Sequence, residues 1–202
     1  MSKKYEDYGY ILDYLPQGHH DQRQPAQFQE PIVQLVGEEY FTLLEAVPHE
    51  ETDLPPQTRV YIGRKGREKI ERIKRRINYD ELTSAAKSEL SVVIEKIIEK
   101  SEEKFLRFFN EASPITSRYH QFELIPGIGK KLMWSIIEER EKKDFESFED
   151  LQNRVKSLPD PTEILAKRIE KELKGEDKYS LFVRRPKDSG GSKSSSGHRR
   201  RR

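Results

Sequence analysis

Residues 124–139 read LIPGIGKKLMWSIIEE, and the reading of this stretch decides the C-terminal half of the chain. Pro126 cannot continue a helix, while Gly127 and Gly129 permit backbone angles and close approaches that a side chain would block. From Lys130 the apolar residues Leu132, Met133, Ile136 and Ile137 recur at helical spacing. The first amides of that helix, at the positive end of its dipole, would face the turn of Gly127, Ile128 and Gly129. Such an end accepts anions. Lys130 and Lys131 add two point charges suited to a phosphodiester backbone, with no means of reading a base. The pattern predicts the hairpin and second helix of a helix-hairpin-helix motif, with residues 116–120 as its short first helix. The plainer alternative is a turn that merely joins two packed helices. The flanking apolar residues and paired lysines favour the anion site. A dinucleotide fingerprint is excluded, because Leu132 stands where its third glycine would be.

On the C-terminal side, Phe145, Phe148, Leu151, Val155, Leu158, Ile164, Leu165, Ile169 and Leu173 keep helical spacing, broken at Pro159 and Pro161 and stopped at Gly175. This predicts two helices around a Leu-Pro-Asp-Pro turn, a glycine-free echo of the first hairpin. Asp160 puts a negative charge there, so this second turn is expected to pack the first rather than grip phosphate. Residues 179–183 read as a short extended tail against the body. Residues 186–202, rich in Gly, Ser and Lys and ending in four arginines, cannot build a core and are expected to be disordered, adding nonspecific affinity for nucleic acid.

On the N-terminal side, residues 82–111 form the longest helical pattern, a connector with mixed charges outside and Phe105, Phe108 and Phe109 turned to the core. Trp134 is expected to pack as well. The first 80 residues differ. Aromatic and β-branched runs at residues 5–15, 32–36, 40–47 and 60–62, separated by turn residues, predict short strands and a small β-barrel. The fold class is α+β in two domains: an OB-like barrel over residues 1–80, a helix-hairpin-helix domain over 81–185, and the tail.

Charge is strongly segregated along the chain, although 38 basic and 36 acidic residues nearly balance overall. Residues 30–53 hold seven acids and no Lys or Arg. Residues 59–76 hold nine basic residues against Glu68 and Glu71, a local net charge of +7. Such clustering is the footprint of a polyanion site. It makes Arg59, Arg64, Lys65, Arg67, Arg72, Arg75 and Arg76 candidates beside the hairpin. A solvated helix after Gly66, seated by Ile70, Ile73 and Ile77, is compatible with this. Arg64 and Lys65 lie between two glycines in a strand-to-helix turn able to cradle a phosphate.

The chain lacks cysteine, which removes disulfides and thiol chemistry. No run approaches the roughly 18 apolar residues of a membrane span, and no apolar signal core is seen, so a cytoplasmic protein is expected. His19 and His20 have no third metal ligand at useful spacing, and His120 is isolated. Without a compact carboxylate or HExxH constellation, neither a catalytic residue nor a cofactor or metal is expected, and the chain reads as nonenzymatic.

YGYILDYLPQG, VGEEYFTLLE, RVYIG, HQFELIPGIGKKLMW, FESFEDL and LPDPTEILAKRI together resemble an archaeal family of undetermined function, over roughly residues 5–185. The resemblance implies an OB-like β-domain before a helix-hairpin-helix domain. It also implies a genomic setting beside genes for a ribosomal protein, an RNA polymerase subunit and a ribosomal-RNA dimethyladenosine methyltransferase. The expectation is an RNA-binding protein of ribosome assembly or translation, with the ribosome as a partner. DNA binding in repair or recombination is the alternative, as is an adaptor that docks proteins on the acidic 30–53 edge.

Overall fold

In the computed structural model, residues 5–18, 30–50 and 52–184 are described. The predicted 186–202 tail and His19 and His20 lie outside them. The architecture is α+β. Strands β1 (Tyr8–Leu15), β2 (Ile32–Gly37), β3 (Leu43–Pro48), β4 (Arg59–Tyr61) and β5 (Ile70–Arg76) form one antiparallel sheet in the order β4-β1-β2-β3-β5. Helices α1 (Ser84–Lys100), α2 (Glu102–Glu111), α3 (Lys130–Lys142), α4 (Phe148–Arg154) and α5 (Pro161–Lys174) follow, with a small hairpin of β6 (Pro114–Thr116) and β7 (Tyr119–His120) between α2 and α3. No helix among the described residues is long and apolar enough to cross a membrane.

The expected barrel is a half-barrel. The sheet curls but β4 and β5, its two ends, do not pair. Bulges in β1 and twice in the β3–β5 pair supply the curl. Its inner face is filled by Ile11, Val33, Leu35, Ala46, Val60, Ile62 and Ile70, with Leu54 from the loop before β4.

Residues 67–77 are not helical, as Ile70, Ile73 and Ile77 suggested. Within them Ile70–Arg76 form strand β5, paired with β3. Each bulge inserts one residue, Glu71 and then Lys74, into a strand of period two, so inward positions fall three apart and imitate a helix.

The sheet's other face carries Tyr10, Leu12, Val36, Phe41 and Leu43, and these pack into the same core as α1 and the later helices. Helix α1 buries Ala86, Leu90, Val93, Ile94, Ile97 and Ile98, each of about 1.5–3 kcal/mol in transfer terms for the larger side chains. Its start is tied to the sheet. The Thr83 hydroxyl caps Ala86 N and donates to Asp13 Oδ2 at 2.6 Å, and Thr83 N donates to Oε1 of the buried Gln34 at 2.9 Å. Gln34 in turn donates to the Glu81 carbonyl at 3.0 Å. The single long helix expected over 82–111 breaks at Ser101, whose φ of −118° and ψ of 34° leave the helical region. Beyond it Phe105 and Phe109 are buried and meet Phe41, Phe122 and Phe148, the core role expected of this aromatic end.

The β2–β3 turn is held by a carboxylate. Glu6, almost fully buried, accepts from the amides of Glu39, Tyr40 and Thr42 at 2.9–3.1 Å and so supports Phe41 at a φ of +53°. Gly37 is required beside it, since a Cβ there would lie 2.0 Å from the Glu6 carboxyl carbon.

At the C-terminal end, Arg168 and Glu172 form a fully buried pair at 2.8 Å. Arg168 also donates to the Leu124 and Tyr179 carbonyls and to Asp177. Glu172 accepts from the amides of Leu181, Phe182 and Val183 at 2.8–3.0 Å, fastening the final segment so that Phe182 packs on Phe105 and Phe108. Residues 179–183 do lie against the body.

The short first helix expected over 116–120 is absent. Thr116, Tyr119 and their neighbours take the extended form their side chains favour, and a single 3₁₀ turn, Gln121–Leu124, leads to the glycines. His120 caps that turn, its Nδ1 accepting from Phe122 N at 3.1 Å. Burial, with the nearby Arg140 charge, lowers the imidazole pKa below its ordinary value of 6.5.

Two outcomes follow from these buried groups. Glu172→Ala removes the buried carboxylate from Arg168, leaving it only that of Asp177, and frees three amides, so urea denaturation should show a loss of about 3–5 kcal/mol. The folded imidazole of His120 binds a proton less readily than the unfolded one, so its stabilisation is complete above pH 6.5 or so and declines as the pH drops below it. His120→Asn keeps an acceptor without titrating. Between pH 7 and pH 5 its thermal midpoint should fall less than that of the wild type, and equal slopes would refute the assignment.

Candidate nucleic-acid interface

Ile125, Pro126, Gly127 and Ile128 form a β-turn closed by Ile128 N donating to the Ile125 carbonyl at 3.1 Å. Proline at its second position and glycine at φ +89° in its third are the requirements of a type II turn. The turn is seated from below. Ile125 and Ile128 are buried, and a Cβ on Gly127 would stand 3.4 Å from Pro159 and 3.7 Å from Ile164. The Leu-Pro-Asp-Pro segment therefore packs against the first hairpin, and Asp160 caps α5 by accepting from Thr162 N.

Above the turn the surface is open. Gly129 is the N-cap of α3, and nothing lies within 4 Å of where its Cβ would be. The first intrahelical bond runs from Met133 N to the Gly129 carbonyl, leaving the amides of Lys130, Lys131 and Leu132 ahead of it. Lys130 and Lys131 are exposed and have no ion-pair partner among the described residues. Trp134, expected to pack, is instead 57% exposed on the first turns of α3, because Met133 and Ile136 already fill the inward face.

The basic segment 59–76 behaves differently in space. Its acidic counterpart lies on neighbouring strands, so the charges separated along the chain meet across the sheet. Arg59 donates twice to Glu38, Arg72 pairs with Glu30, and Arg75 pairs with the buried Glu45 and with Glu81. Burial pushes the Glu38 carboxyl up, but hydrogen bonds and charge from Arg59 and Lys100 outweigh it and hold its pKa below the ordinary value. Arg67 is spent on the Ile62 and Gly63 carbonyls, and Arg76 donates to the Thr42 hydroxyl. The sequence-local excess of +7 is therefore reduced within the fold by Glu30, Glu38, Glu45 and Glu81. Arg64 and Lys65 differ. They stand exposed in the β4–β5 loop without an ion-pair partner among the described residues, Arg64 resting 4.4 Å over the ring of Tyr5. Gly66, at φ +75°, turns the loop toward a strand rather than a helix.

Aromatic rings at the sheet are partly covered in the same way. Tyr8 is exposed but has Arg59 3.5 Å over its ring, and Tyr40 is half-buried under Arg184. Among the described residues no three His, Asp or Glu side chains converge as metal ligands.

An uncharacterized protein of Methanocaldococcus jannaschii, MJ0038, is 49% identical over 184 residues, spanning 90% of this chain and 82% of that one. The crystal structure of Af1531 from Archaeoglobus fulgidus superposes with a TM-score of 0.82 at 49% identity, covering 89% of this chain and all of that one. Residues 5–184, both the curled sheet and the hairpin with its helices, match the family described as a protein of unknown function, DUF655, and the chain belongs to that archaeal family.

Proposed function

We propose that this is a nonenzymatic RNA-binding protein that grips the phosphate backbone through residues 127–131. The observation that carries the reading is the open face at Gly129, where unobstructed backbone, two cations with no ion-pair partner among the described residues and the first amides of α3 coincide. A phosphate reaching Gly129 meets donors already fixed in place by the type II turn beneath them. In this reading residues 121–142 are a helix-hairpin-helix unit whose first helix has shrunk to a 3₁₀ turn.

A second contact belongs to the sheet. We read the curled sheet, ordered β4-β1-β2-β3-β5, as an OB-like half-barrel, and in that reading the loop joining β4 and β5 corresponds to one of the two with which OB folds bind oligonucleotides. Here that loop carries Arg64 and Lys65. Two modest contacts on one chain reinforce each other through effective concentration. RNA is preferred to DNA for the ribosomal setting implied by the family resemblance, and work in ribosome assembly or translation is the role proposed.

The test uses Gly129→Ala. Its φ of −86° is ordinary and its Cβ meets nothing, so the variant should lose at most about 1 kcal/mol of stability. Binding of a labelled RNA should nevertheless weaken about tenfold or more, as a hydrogen bond to a charged group is worth about 1.5–3 kcal/mol. Lys130→Glu with Lys131→Glu should abolish most binding and flatten its salt dependence. The same charge change at the exposed Lys96 and Arg107 should do far less. Equal losses from both pairs would reduce the effect to net charge and defeat the reading. Matched RNA and DNA competitors decide between the two polymers.

A further inference from the structure

Trp134 is the chain's single tryptophan, and at 57% exposure it is the most exposed of the large apolar side chains among the described residues. A residue type that is usually well buried stands here in water. It is not left over from packing, because α3 seats itself through Met133 and Ile136 on the opposite face. Helical spacing places Trp134 four residues after Lys130 and three after Lys131, so all three share one face. Neither lysine has an ion-pair partner among the described residues. One turn further on, Glu138 is exposed and ends the cationic stretch. Val92, the other exposed aliphatic side chain, lies on α1 between Glu89, Glu95 and Lys96, with no such cationic pair.

An aromatic face beside two free ammonium groups suits a partner with a flat ring and a negative charge a short distance apart. From Lys130 to Trp134 the helix rises about 6 Å. A phosphate held at the loop and a base lying on Trp134 therefore belong to the same nucleotide or to neighbours. In a duplex that base is stacked and paired inside, out of reach of a side chain lying outside the backbone.

We infer that Trp134 is a stacking platform for an unpaired base, so that the hairpin takes single-stranded rather than double-stranded nucleic acid. The inference rests on the phosphate-gripping reading above and adds the class of ligand to it. Stacking tolerates any base, so the site selects strandedness and not sequence.

The full chain can be titrated with end-labelled oligouridylate, with oligothymidylate and with RNA and DNA duplexes of equal length. Label anisotropy reports binding, while the emission of the single tryptophan reports the contact itself. The expected result is binding of the single strands with quenching of Trp134, and weaker duplex binding without quenching. Trp134→Ala should cost about tenfold in single-strand affinity, Trp134→Phe less, and neither should change duplex affinity or the thermal midpoint. Uridylate against thymidylate shows whether the site distinguishes RNA from DNA. Single-strand binding without quenching, undiminished in Trp134→Ala, would overturn the stacking role and leave the phosphate grip standing. An equal loss for single strand and duplex would overturn it too. No binding of any polymer by the folded chain would overturn both. Quenching or a blue shift that grows with protein concentration alone would assign Trp134 to a protein surface and reject the inference.

Discussion

Arg168 is the point at which the helical part of the molecule is tied together. Its guanidinium sits in the interior and reaches the Leu124 carbonyl at the entrance to the hairpin, the Tyr179 carbonyl in the closing segment, and the carboxylates of Glu172 and Asp177. A buried cation is tolerated only when it is fully paired, and this one has acceptors on every side. Glu172 uses its second oxygen and shared lone pairs on the amides of 181–183. The geometry of residues 124–131 is thus set partly from residue 168, and α5 carries that constraint to α1 and so to the sheet.

The sheet solves a different electrostatic problem. Its acidic and basic runs look like two opposite surfaces when the sequence is read linearly. Antiparallel pairing of β3 with β5 sets Glu45 opposite Arg75, and the β1–β4 edge brings Arg59 to Glu38. The more exposed pairs, such as Arg72 with Glu30, contribute little each. Their larger effect is to reduce the long-range field of the 59–76 segment and to leave Arg64, Lys65 and Lys69 exposed without an ion-pair partner among the described residues. The residues best placed to meet an anion are consequently fewer than the cationic ones, and they lie on a loop and a helix start where the backbone is also accessible.

Support from below and openness above are what make residues 125–131 unlike the other turns. Gly127 is needed for its positive φ and for contact with Pro159, so its role is internal. Gly129 has neither constraint and faces outward. The two glycines of one motif therefore do separate jobs. The second hairpin has its own positive-φ residue at Ser157, but its turn is used up in packing and in capping α5.

Much of this was legible in the sequence, where local rules decide the outcome. The proline and glycines of the 126–129 turn, the strands over 8–15, 32–37 and 43–48, the helices after Lys130 and Pro161, and the stop at Gly175 follow from backbone chemistry and apolar period. What only the tertiary structure decided depended on partners distant in sequence. Ile70 and Ile73 are spaced as on a helix, and the bulges that make them a strand exist only against β3. Residues 116–120 were too short for period to speak. Arg75 reads as a binding residue until Glu45 is beside it, and Trp134 reads as core until Met133 and Ile136 have taken the inward positions. Period and propensity are properties of a segment, whereas pairing, neutralisation and exposure are properties of what the fold places next to it.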